Sequence, residues 1–493
     1  MADLVIIIYS NQLTFNYIDK YMVSGREYEK NRLLNMLKDN ESDLLAVFGR
    51  RRVGKTYLIR EVYKKNLVFN ITGLKDATKS QQLKNFTTQI NEAYSMQAKI
   101  SPPKDWQDAF NIIKEYIGGL KQKSKKVLFF DEFPWLASPR SGFIQAFDHF
   151  WNTWAVQQNI LVVICGSAAT WMIQNIVNNK GGLHNRVTAK INLQPFSLKE
   201  TQQYFKDRNI TLPPYEIVSI YMALGGIPFY LRNIQKGESA IQAIDRICFG
   251  NNAILYNEFE NLYQALFSNY ESHVEVIKAL AKKRIGMTRL QILKETKLQS
   301  GGTFTLILRE LEESSFISSY KPYGKKERDT LYRLTDEYSL FYLSFIQKKG
   351  SQKGTWLKLA LSQSAKSWSG YTFESICYKH THSIKKALGI DGIYTEESSI
   401  VQKKNDESPG FQIDLLIDRA DNMINICEAK YYNTEYLLTA KEAEHLRVRK
   451  KLFETVTKTK KQIITTMITT YGLVENKHSH SIDKLLTIAS LFK

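Results

Sequence analysis

The segment from Asp43 to Tyr63, DLLAVFGRRRVGKTYLIREVY, constrains the fold of this chain more than any other stretch of its sequence. Apolar residues from Leu44 to Phe48 predict a buried strand, and helical spacing resumes after the loop that follows. Between the two stands the pattern GxxxxGK[ST], in the strand–loop–helix setting that a phosphate-binding loop requires. The sequence therefore predicts an α/β domain built around a P-loop.

The glycines of this loop let the backbone turn so that its N–H groups point at phosphates, at the N-terminus of the following helix. Lys55 is predicted to reach the β- and γ-phosphates, and the Thr56 hydroxyl to coordinate Mg²⁺. ATP and Mg²⁺ are therefore the predicted cofactors. The predicted nucleotide-binding residues of the loop are Gly49, Arg50, Arg51, Arg52, Val53, Gly54, Lys55 and Thr56.

A second apolar strand, from Val127 to Phe130, ends in the acidic pair Asp131-Glu132. Ligands bind at the carboxyl ends of the strands in open α/β sheets, so an acid there can join a metal site. We predict that Asp131 belongs to the Mg²⁺ shell and that Glu132 polarises the attacking water. Such a strand end is commonly structural, and the P-loop upstream is what favours the functional interpretation.

Two further residues are candidates for the nucleotide site. Ser167 follows a third apolar strand and is placed to sense the γ-phosphate, although a turn-forming serine fits the same pattern. Arg186 is a candidate catalytic arginine, of the kind that a neighbouring subunit supplies to some P-loop ATPases, and a solvated arginine is the alternative. The catalytic interpretation implies a homo-oligomer.

The stretch SGREYEKNRLLNML, residues 24–37, resembles the GRExE box that opens the AAA+ and STAND-like P-loop ATPases. Together with the P-loop, the acidic pair and LGGIPFYL at 224–231, it resembles the archaeal-type ATPase family found in archaea and bacteria. That resemblance implies a helical lid in which Pro228 contacts the nucleotide, and a role in defence or mobile-element biology. The family usually has a glycine before the arginine, whereas Asn185 precedes Arg186 here.

The region after His273 predicts a winged helix, because three helical patterns lead into a hairpin pattern. Its third helix, TFTLILRELEESSF, carries three glutamates against a single Arg309, whereas recognition helices are normally basic or polar. We therefore expect an intramolecular role that relays the state of the ATPase. Contact with a nucleic-acid backbone through the wing is the alternative, and the lysines available for it are Lys321, Lys325 and Lys326.

The stretch FQIDLLIDRADNMINICEAKYY, residues 411–432, reads as two paired strands with charges at one end. Asp414 interrupts the first strand, and Glu428 and Lys430 close the second. A charge on an apolar strand is costly unless it is paired or binds a metal. A buried salt bridge between Asp414 and Lys430 is one explanation, and a metal centre is the other.

The order of predicted elements around these residues resembles the PD-(D/E)xK nuclease fold over about residues 368–475. The resemblance implies that Asp414 and Glu428 bind Mg²⁺ and that Lys430 orients the attacking water. Carboxylate oxygens suit Mg²⁺, and a bound metal supplies an activated water for phosphodiester attack. Glu374, on the preceding helix, is a further candidate metal ligand, although a helix-surface glutamate fits its position as well.

The whole chain has 493 residues and a formal charge of +19, which favours polyanions, most plausibly nucleic acid. DNA is the predicted partner, although the sequence does not distinguish DNA from RNA. A lysine-rich solvated surface is the alternative. The apolar run Leu4 to Tyr9 is too short to span a membrane, so we expect a cytoplasmic protein without a membrane partner. The predicted domains are an ATPase core (1–195), a helical lid (196–270), a winged helix (271–347), a linker (348–367) and a nuclease-like domain (368–493).

Overall fold

The computed structural model describes residues 23–94, 100–177, 185–250, 252–349, 352–402 and 410–493. The chain divides into two compact units, the first ending at Pro195 and the second running from Phe196 to Lys493. The apolar run at residues 4–9 lies outside the described residues. Within those residues, no helix is long and apolar enough to cross a membrane.

The first unit is built on a parallel sheet with the strand order β2–β3–β4–β1–β5. Its strands are β1 (Asp43–Phe48), β2 (Leu67–Thr72), β3 (Lys126–Asp131), β4 (Ile160–Gly166) and β5 (Ala189–Asn192). Its described α-helices include α1 (Glu27–Asn35), α2 (Lys55–Val62), α3 (Lys79–Tyr94), α4 (Trp106–Gly119), α5 (Phe133–Leu136), α6 (Phe143–Thr153) and α7 (Ala169–Met172). The central strands are continuous apolar runs because both faces of a parallel sheet are covered.

Aromatic rings form much of the core beside β3. Phe110 of α4 stacks on Phe150 of α6 with ring centroids 4.8 Å apart. Phe133 of α5 packs edge-on against Phe143 and Phe147, each at 5.0 Å. Such pairs add stability beyond the area they bury, so they hold the carboxyl end of β3 and the residues that follow it in place.

The second unit begins with helices and continues into a small antiparallel sheet with the order β6–β8–β7. The first helices are α8 (Leu198–Asp207), α9 (Pro214–Leu224), α10 (Pro228–Leu231), α11 (Ala240–Cys248) and α12 (Glu258–Leu266). We call residues 270–334 the hairpin segment. It contains α13 (Tyr270–Ala281), β6 (Met287–Thr288), α14 (Arg289–Thr296), α15 (Gly302–Glu313), β7 (Ile317–Tyr320) and β8 (Leu331–Leu334).

The region predicted as a linker is largely helical and partly buried. After α16 (Glu337–Phe341), α17 (Gln347–Lys349) and α18 (Thr355–Leu359), helix α19 (Gln363–Lys379) has already begun. Trp356 is 4% exposed, lies 4.9 Å from the ring of Phe341, and donates its backbone N–H to Asp245 at 2.8 Å. The linker prediction is wrong here, because Trp356 is buried within a segment whose other residues are mostly polar.

The C-terminal part of the second unit is a sheet with the order β13–β12–β11–β10–β9. Strands β9 (Thr395–Gln402), β10 (Phe411–Arg419) and β11 (Met423–Lys430) are antiparallel neighbours. Helix α21 (Ala440–Thr457) connects β11 to the parallel strand β12 (Gln462–Thr469), beside which lies β13 (Lys484–Thr487). The helical region before this sheet is two helices, α19 and α20 (Thr381–Leu388), that meet at His380.

His380 is a buried histidine with both ring nitrogens in hydrogen bonds. Its Nε2 accepts the backbone N–H of Leu198 at 3.1 Å, and its Nδ1 lies 2.9 Å from the carbonyl oxygen of Ile376. Accepting that bond requires an unprotonated Nε2. Burial lowers the pKa of His380 to about 4.

We therefore expect His380 to make the second unit less stable in acid. The folded pKa is lowered, so the folded chain binds fewer protons than the unfolded one, and stability is complete above pH 6.5 and falls as the pH drops towards 4. Because of this one residue, the free energy of unfolding should be about 2 kcal/mol lower at pH 5 than at pH 7.5. Urea denaturation at both pH values checks this: His380→Gln should reduce the difference by that amount, and the exposed control His382→Gln should not.

Candidate functional site

The P-loop lies between β1 and α2, at the carboxyl edge of the parallel sheet. Gly49 has a φ of 136°, and a Cβ there would lie 2.4 Å from the carbonyl oxygen of Leu193, so no other residue fits. Gly54 caps α2 with a φ of 92°. The two glycines of the sequence pattern thus stand where the backbone requires them.

Lys55, the first residue of α2, points into this loop. Its Nζ donates to the carbonyl oxygens of Gly49 and Arg50, both at 2.9 Å, and the residue is 6% exposed. Burial lowers its pKa, while the thiol of Cys165 and the carboxylates Glu132 and Asp131 act in the opposite direction. A phosphate would offer this ammonium an anionic acceptor in place of neutral carbonyls, so Coulombic attraction would be added to the hydrogen bonds.

Thr56 and Asp131 come together although 75 residues separate them. The Thr56 hydroxyl donates to Asp131 Oδ2 at 2.9 Å. This pair joins the start of α2 to the end of β3, and both groups are hard oxygen donors of the type that Mg²⁺ prefers. The donor set therefore fits the predicted metal.

Glu132 and Ser167 form a second pair in the same region. The backbone N–H and the hydroxyl of Ser167 both donate to Glu132 Oε2, at 3.2 and 2.9 Å. Glu132 has a φ of 45°, in the left-handed region that non-glycine residues rarely adopt. Ser167 thus orients the proposed catalytic carboxylate, a role that the sequence did not predict. Its contact with a γ-phosphate stays a prediction.

We expect Ser167→Ala to slow ATP hydrolysis about tenfold while leaving ATP affinity nearly unchanged. The variant removes one of two hydrogen bonds that orient Glu132, and a misplaced catalytic group costs rate more than binding. Steady-state hydrolysis and fluorescent-nucleotide binding measure the two effects. Thr170→Val, which alters a nearby buried hydroxyl, is the control and should keep the wild-type rate; an equal rate in Ser167→Ala would contradict the assigned contact.

Arg186 and Pro228 are the remaining predicted nucleotide contacts. Arg186 is exposed on the turn before β5, and residues 178–184 before it lie outside the described part of the chain. Pro228 opens α10 of the second unit. The glycine two residues earlier has a packing role: a Cβ on Gly226 would lie 1.9 Å from the carbonyl oxygen of Phe196, whose N–H donates to Gly226. The nucleotide roles of Arg186 and Pro228 stay predictions.

A second group of charged side chains lies in the C-terminal sheet. Strands β10 and β11 pair from Leu415 opposite Cys427. Asp414 and Glu428 come directly beyond this pair, at the same end of the two strands. Both Asp414 and Glu428 belong to the four predicted C-terminal site residues, with Lys430 and Glu374.

Glu428 is held by two cations. Its Oε1 lies 2.8 Å from the Nζ of Lys430, and its Oε2 accepts from Nη1 of Arg449 at 2.5 Å. Burial raises the pKa of Glu428 and the charges of Arg449 and Lys430 lower it, with a net downward shift. The predicted alternative of an Asp414–Lys430 salt bridge is therefore wrong, because Lys430 pairs with Glu428. Sequence reasoning missed Arg449, which lies on the basic helix α21 as part of the run RVRKK.

In the described part of the chain, Asp414 and Glu374 form no ion pair of this kind. Asp414 accepts a hydrogen bond from Gln412 Nε2 at 2.6 Å, and burial raises its pKa. Burial, with Asp414 and Glu428 nearby, raises the pKa of Glu374 to about 8. Carboxyl groups that raise each other's pKa lie close enough for their charges to interact. Glu374 is thus partly buried and within range of the charges of Asp414 and Glu428, and its role as a metal ligand stays a prediction.

The cluster does not form a complete metal site as it stands. Among the described residues, no three or more His, Cys, Asp or Glu side chains are placed together to hold a metal ion. The donor types fit Mg²⁺, since Asp414, Glu374 and Glu428 all offer carboxylate oxygens. Both oxygens of Glu428 are engaged by cations, so a metal ligand role requires Glu428 to give up one of these contacts.

Comparisons with known proteins bear on the first part of the chain. Residues 24–234 match the model of a family described as an ATPase domain predominantly from Archaea. An uncharacterized protein of Methanocaldococcus jannaschii is 23% identical over 338 residues, which are 66% of this chain and 69% of that protein. The chain therefore carries an archaeal-type P-loop ATPase domain, and the predicted nucleotide binding is confirmed at this level.

Two solved structures are also similar. A Walker-type ATPase of Pyrococcus abyssi is 17% identical, with a TM-score of 0.48, and the match covers 65% of this chain and 96% of that one. The ORC2 protein of Aeropyrum pernix is 15% identical, with a TM-score of 0.39, and the match covers 67% of this chain and 96% of that one.

Proposed function

We propose that the archaeal-type ATPase domain of this chain controls the metal-dependent cleavage of nucleic acid by its C-terminal sheet, which we assign to the PD-(D/E)xK nuclease fold. The observation that carries the proposal is that Asp414 and Glu428 lie opposite each other at one end of two paired strands, with Lys430 paired to Glu428 and Glu374 within range of their charges. Like charges are costly when buried together, and a divalent cation would relieve that cost.

Each residue of the cluster has a chemical role in this proposal. Asp414 and Glu428 would hold Mg²⁺, together with the carbonyl oxygen of Ala429, and Glu374 would complete the shell. When bound, the metal supplies Lewis acidity and an acidified water. Lys430 would orient that water and stabilise negative charge in the transition state. Arg449, freed from Glu428, would offer a second positive charge close to the phosphate.

The substrate class follows from charge. A net charge of +19 attracts polyanions, and DNA is the proposed substrate. In the proposal the hairpin segment is a winged helix that relays the ATPase state, because its helix α15 carries Glu310, Glu312 and Glu313. Arg186 would act across a homo-oligomer interface, and the defence or mobile-element role stays a prediction.

A cleavage assay tests the nuclease assignment. The full chain is incubated with labelled DNA or RNA in Mg²⁺ or Mn²⁺, with EDTA as the control. We expect cleavage with metal and none with EDTA. Metal-independent cleavage, or none with either metal and either nucleic acid, would contradict the assignment.

The second candidate is a switch ATPase whose C-terminal sheet binds DNA or a protein partner without cutting. The ion pairs of Glu428 with Lys430 and Arg449 favour it, since a carboxylate with two cation partners needs no metal. Under this alternative, binding of a partner would depend on ATP, and metal would change neither binding nor any product.

A further inference from the structure

A cavity of about 510 Å³ lies between the hairpin segment and the C-terminal sheet, both within the second unit. That volume is in the range of sites that bind molecules the size of a nucleotide. The charged residues in its lining are the four cations Lys282, Lys283, Arg284 and Arg333 and the two acids Glu374 and Asp414. The cations all come from the hairpin segment, and the acids come from α19 and β10.

Arg333 is the residue whose environment indicates a ligand site. It is 8% exposed, and its Nε and Nη2 are buried without a hydrogen-bond partner in the described part of the chain. Its guanidinium lies over the rings of Tyr320 and Tyr378, with Cζ 4.8 and 4.4 Å from the ring centroids. The rings accommodate the flat face of the cation, while Nε and Nη2 remain without a partner among the described residues.

Such an arrangement is costly unless an anion pairs with the guanidinium. Buried charges are normally paired and hydrogen-bonded, and an unpaired buried donor requires an explanation. Within the described residues, Arg333 forms no ion pair, and Asp414 influences it only at longer range. Guanidinium N–H groups fit a phosphate through two parallel hydrogen bonds, which is the geometry that lysine cannot supply.

Arg284 lines the same cavity as Arg333 and is exposed to solvent. Its Cζ lies 3.0 Å from the ring centroid of Tyr371, and its charge acts on Glu374. The hairpin segment also contacts the sheet directly, since the N–H of Tyr323 donates to the carbonyl oxygen of Ser399 at 2.8 Å, and Tyr323 packs against Phe453. These contacts hold the cations of the hairpin segment at the same cavity as the two carboxylates.

We infer that this cavity binds a phosphate group of a nucleic-acid strand through Arg333 and Arg284, next to the carboxylate cluster. The hairpin segment then serves as half of the substrate site, in addition to any relay role. The inference rests on the proposed function for the identity of the strand, whereas the binding of phosphate by Arg333 does not depend on cleavage. A phosphate held by arginines on one side can face a metal held by carboxylates on the other.

Binding without metal tests this inference. The affinity of the full chain for labelled single- and double-stranded oligonucleotides is measured by fluorescence anisotropy in EDTA, over a range of salt concentrations. We expect Arg333→Gln to weaken binding at least tenfold and to reduce the salt slope by about one. The matched control Arg309→Gln removes the same charge from the exposed face of α15 and should change affinity less than threefold.

A second variant covers the case in which Arg333→Gln does not fold. Arg284 is exposed, so Arg284→Gln should keep the wild-type melting temperature and weaken binding at least threefold. Wild-type affinity in a folded Arg333→Gln, or in Arg284→Gln if the first variant is unfolded, would overturn the inference.

A separate experiment distinguishes free phosphate from the phosphate of a nucleic-acid strand. If inorganic phosphate raises the melting temperature of the wild type but not of Arg333→Gln, while oligonucleotide affinity is equal in both, the site takes free phosphate and the strand assignment is wrong. If the wild type does not cleave nucleic acid but binds it in a way that depends on Arg333, only the nuclease proposal is contradicted. Failure of the nuclease proposal is therefore distinguishable from failure of the phosphate-binding inference.

Discussion

Lys55→Ala should lower ATP hydrolysis at least about 100-fold, because it removes the ammonium that would face the β- and γ-phosphates. In the structure this ammonium is buried in the loop, 2.9 Å from two backbone carbonyls. Nucleotide affinity should fall as well, since the positive charge acts on the ground state too. Phosphate release and fluorescent-nucleotide binding measure the two losses.

The fold should survive this change, and a matched control shows whether it does. Lys64 is an exposed lysine just after α2, so Lys64→Ala removes the same charge without touching the loop and should hydrolyse ATP normally. Glu132→Gln completes the set: it should bind ATP as well as the wild type and fail to turn it over, because the amide cannot accept a proton from water. Wild-type hydrolysis in both Lys55→Ala and Glu132→Gln would contradict the site.

Asp414→Asn should reduce metal-dependent cleavage of nucleic acid by about two orders of magnitude or more, while ATP hydrolysis stays near the wild-type rate. The amide is a poorer ligand for Mg²⁺ than the carboxylate. This variant is the cleanest in the cluster, because Asp414 forms a hydrogen bond with Gln412 and no ion pair in the described structure. Its melting temperature should therefore remain close to that of the wild type.

Glu428→Ala tests the same cluster with a different expected signature. It leaves the partly exposed Lys430 and Arg449 without their counter-ion, so a loss of about 1–3 kcal/mol in stability should accompany the loss of cleavage. Lys430→Ala should keep the metal and lose rate, since its charge acts on the transition state. Glu444→Gln, on the exposed face of α21, is the acidic control and should change neither property. Unimpaired cleavage by Asp414→Asn would remove the metal role.

The nucleotide site shows how far a local pattern reaches. The P-loop, its two glycines and the acid after β3 are visible in sequence because a single strand–loop–helix unit carries them. The partnership of Ser167 with Glu132 spans 35 residues, and it depends on β4 lying beside β3 in the sheet. No spacing in the sequence encodes that adjacency.

The C-terminal cluster shows the opposite limit. The sequence singled out its four members as candidate site residues, and that role stays a prediction. The predicted salt bridge is wrong, because Lys430 pairs with Glu428 on its own strand. Arg449 lies 21 residues further on, in a helix rich in basic residues, where no pattern distinguishes it from its solvated neighbours. The sequence likewise did not predict that Arg333 and Arg284 line a cavity with the carboxylates, because that cavity forms only where the hairpin segment packs on the sheet.

The rate of nucleic-acid cleavage in Mg²⁺, with and without ATP, tests the central claim that the ATPase domain controls the nuclease. We predict that adding ATP changes the cleavage rate of the wild type at least tenfold and that it does not change the rate of Lys55→Ala. For Glu132→Gln, which binds ATP without hydrolysing it, we predict that the changed rate persists as long as ATP is present. Cleavage at one rate in all three proteins, whether or not ATP is present, would contradict the control of the nuclease by the ATPase domain.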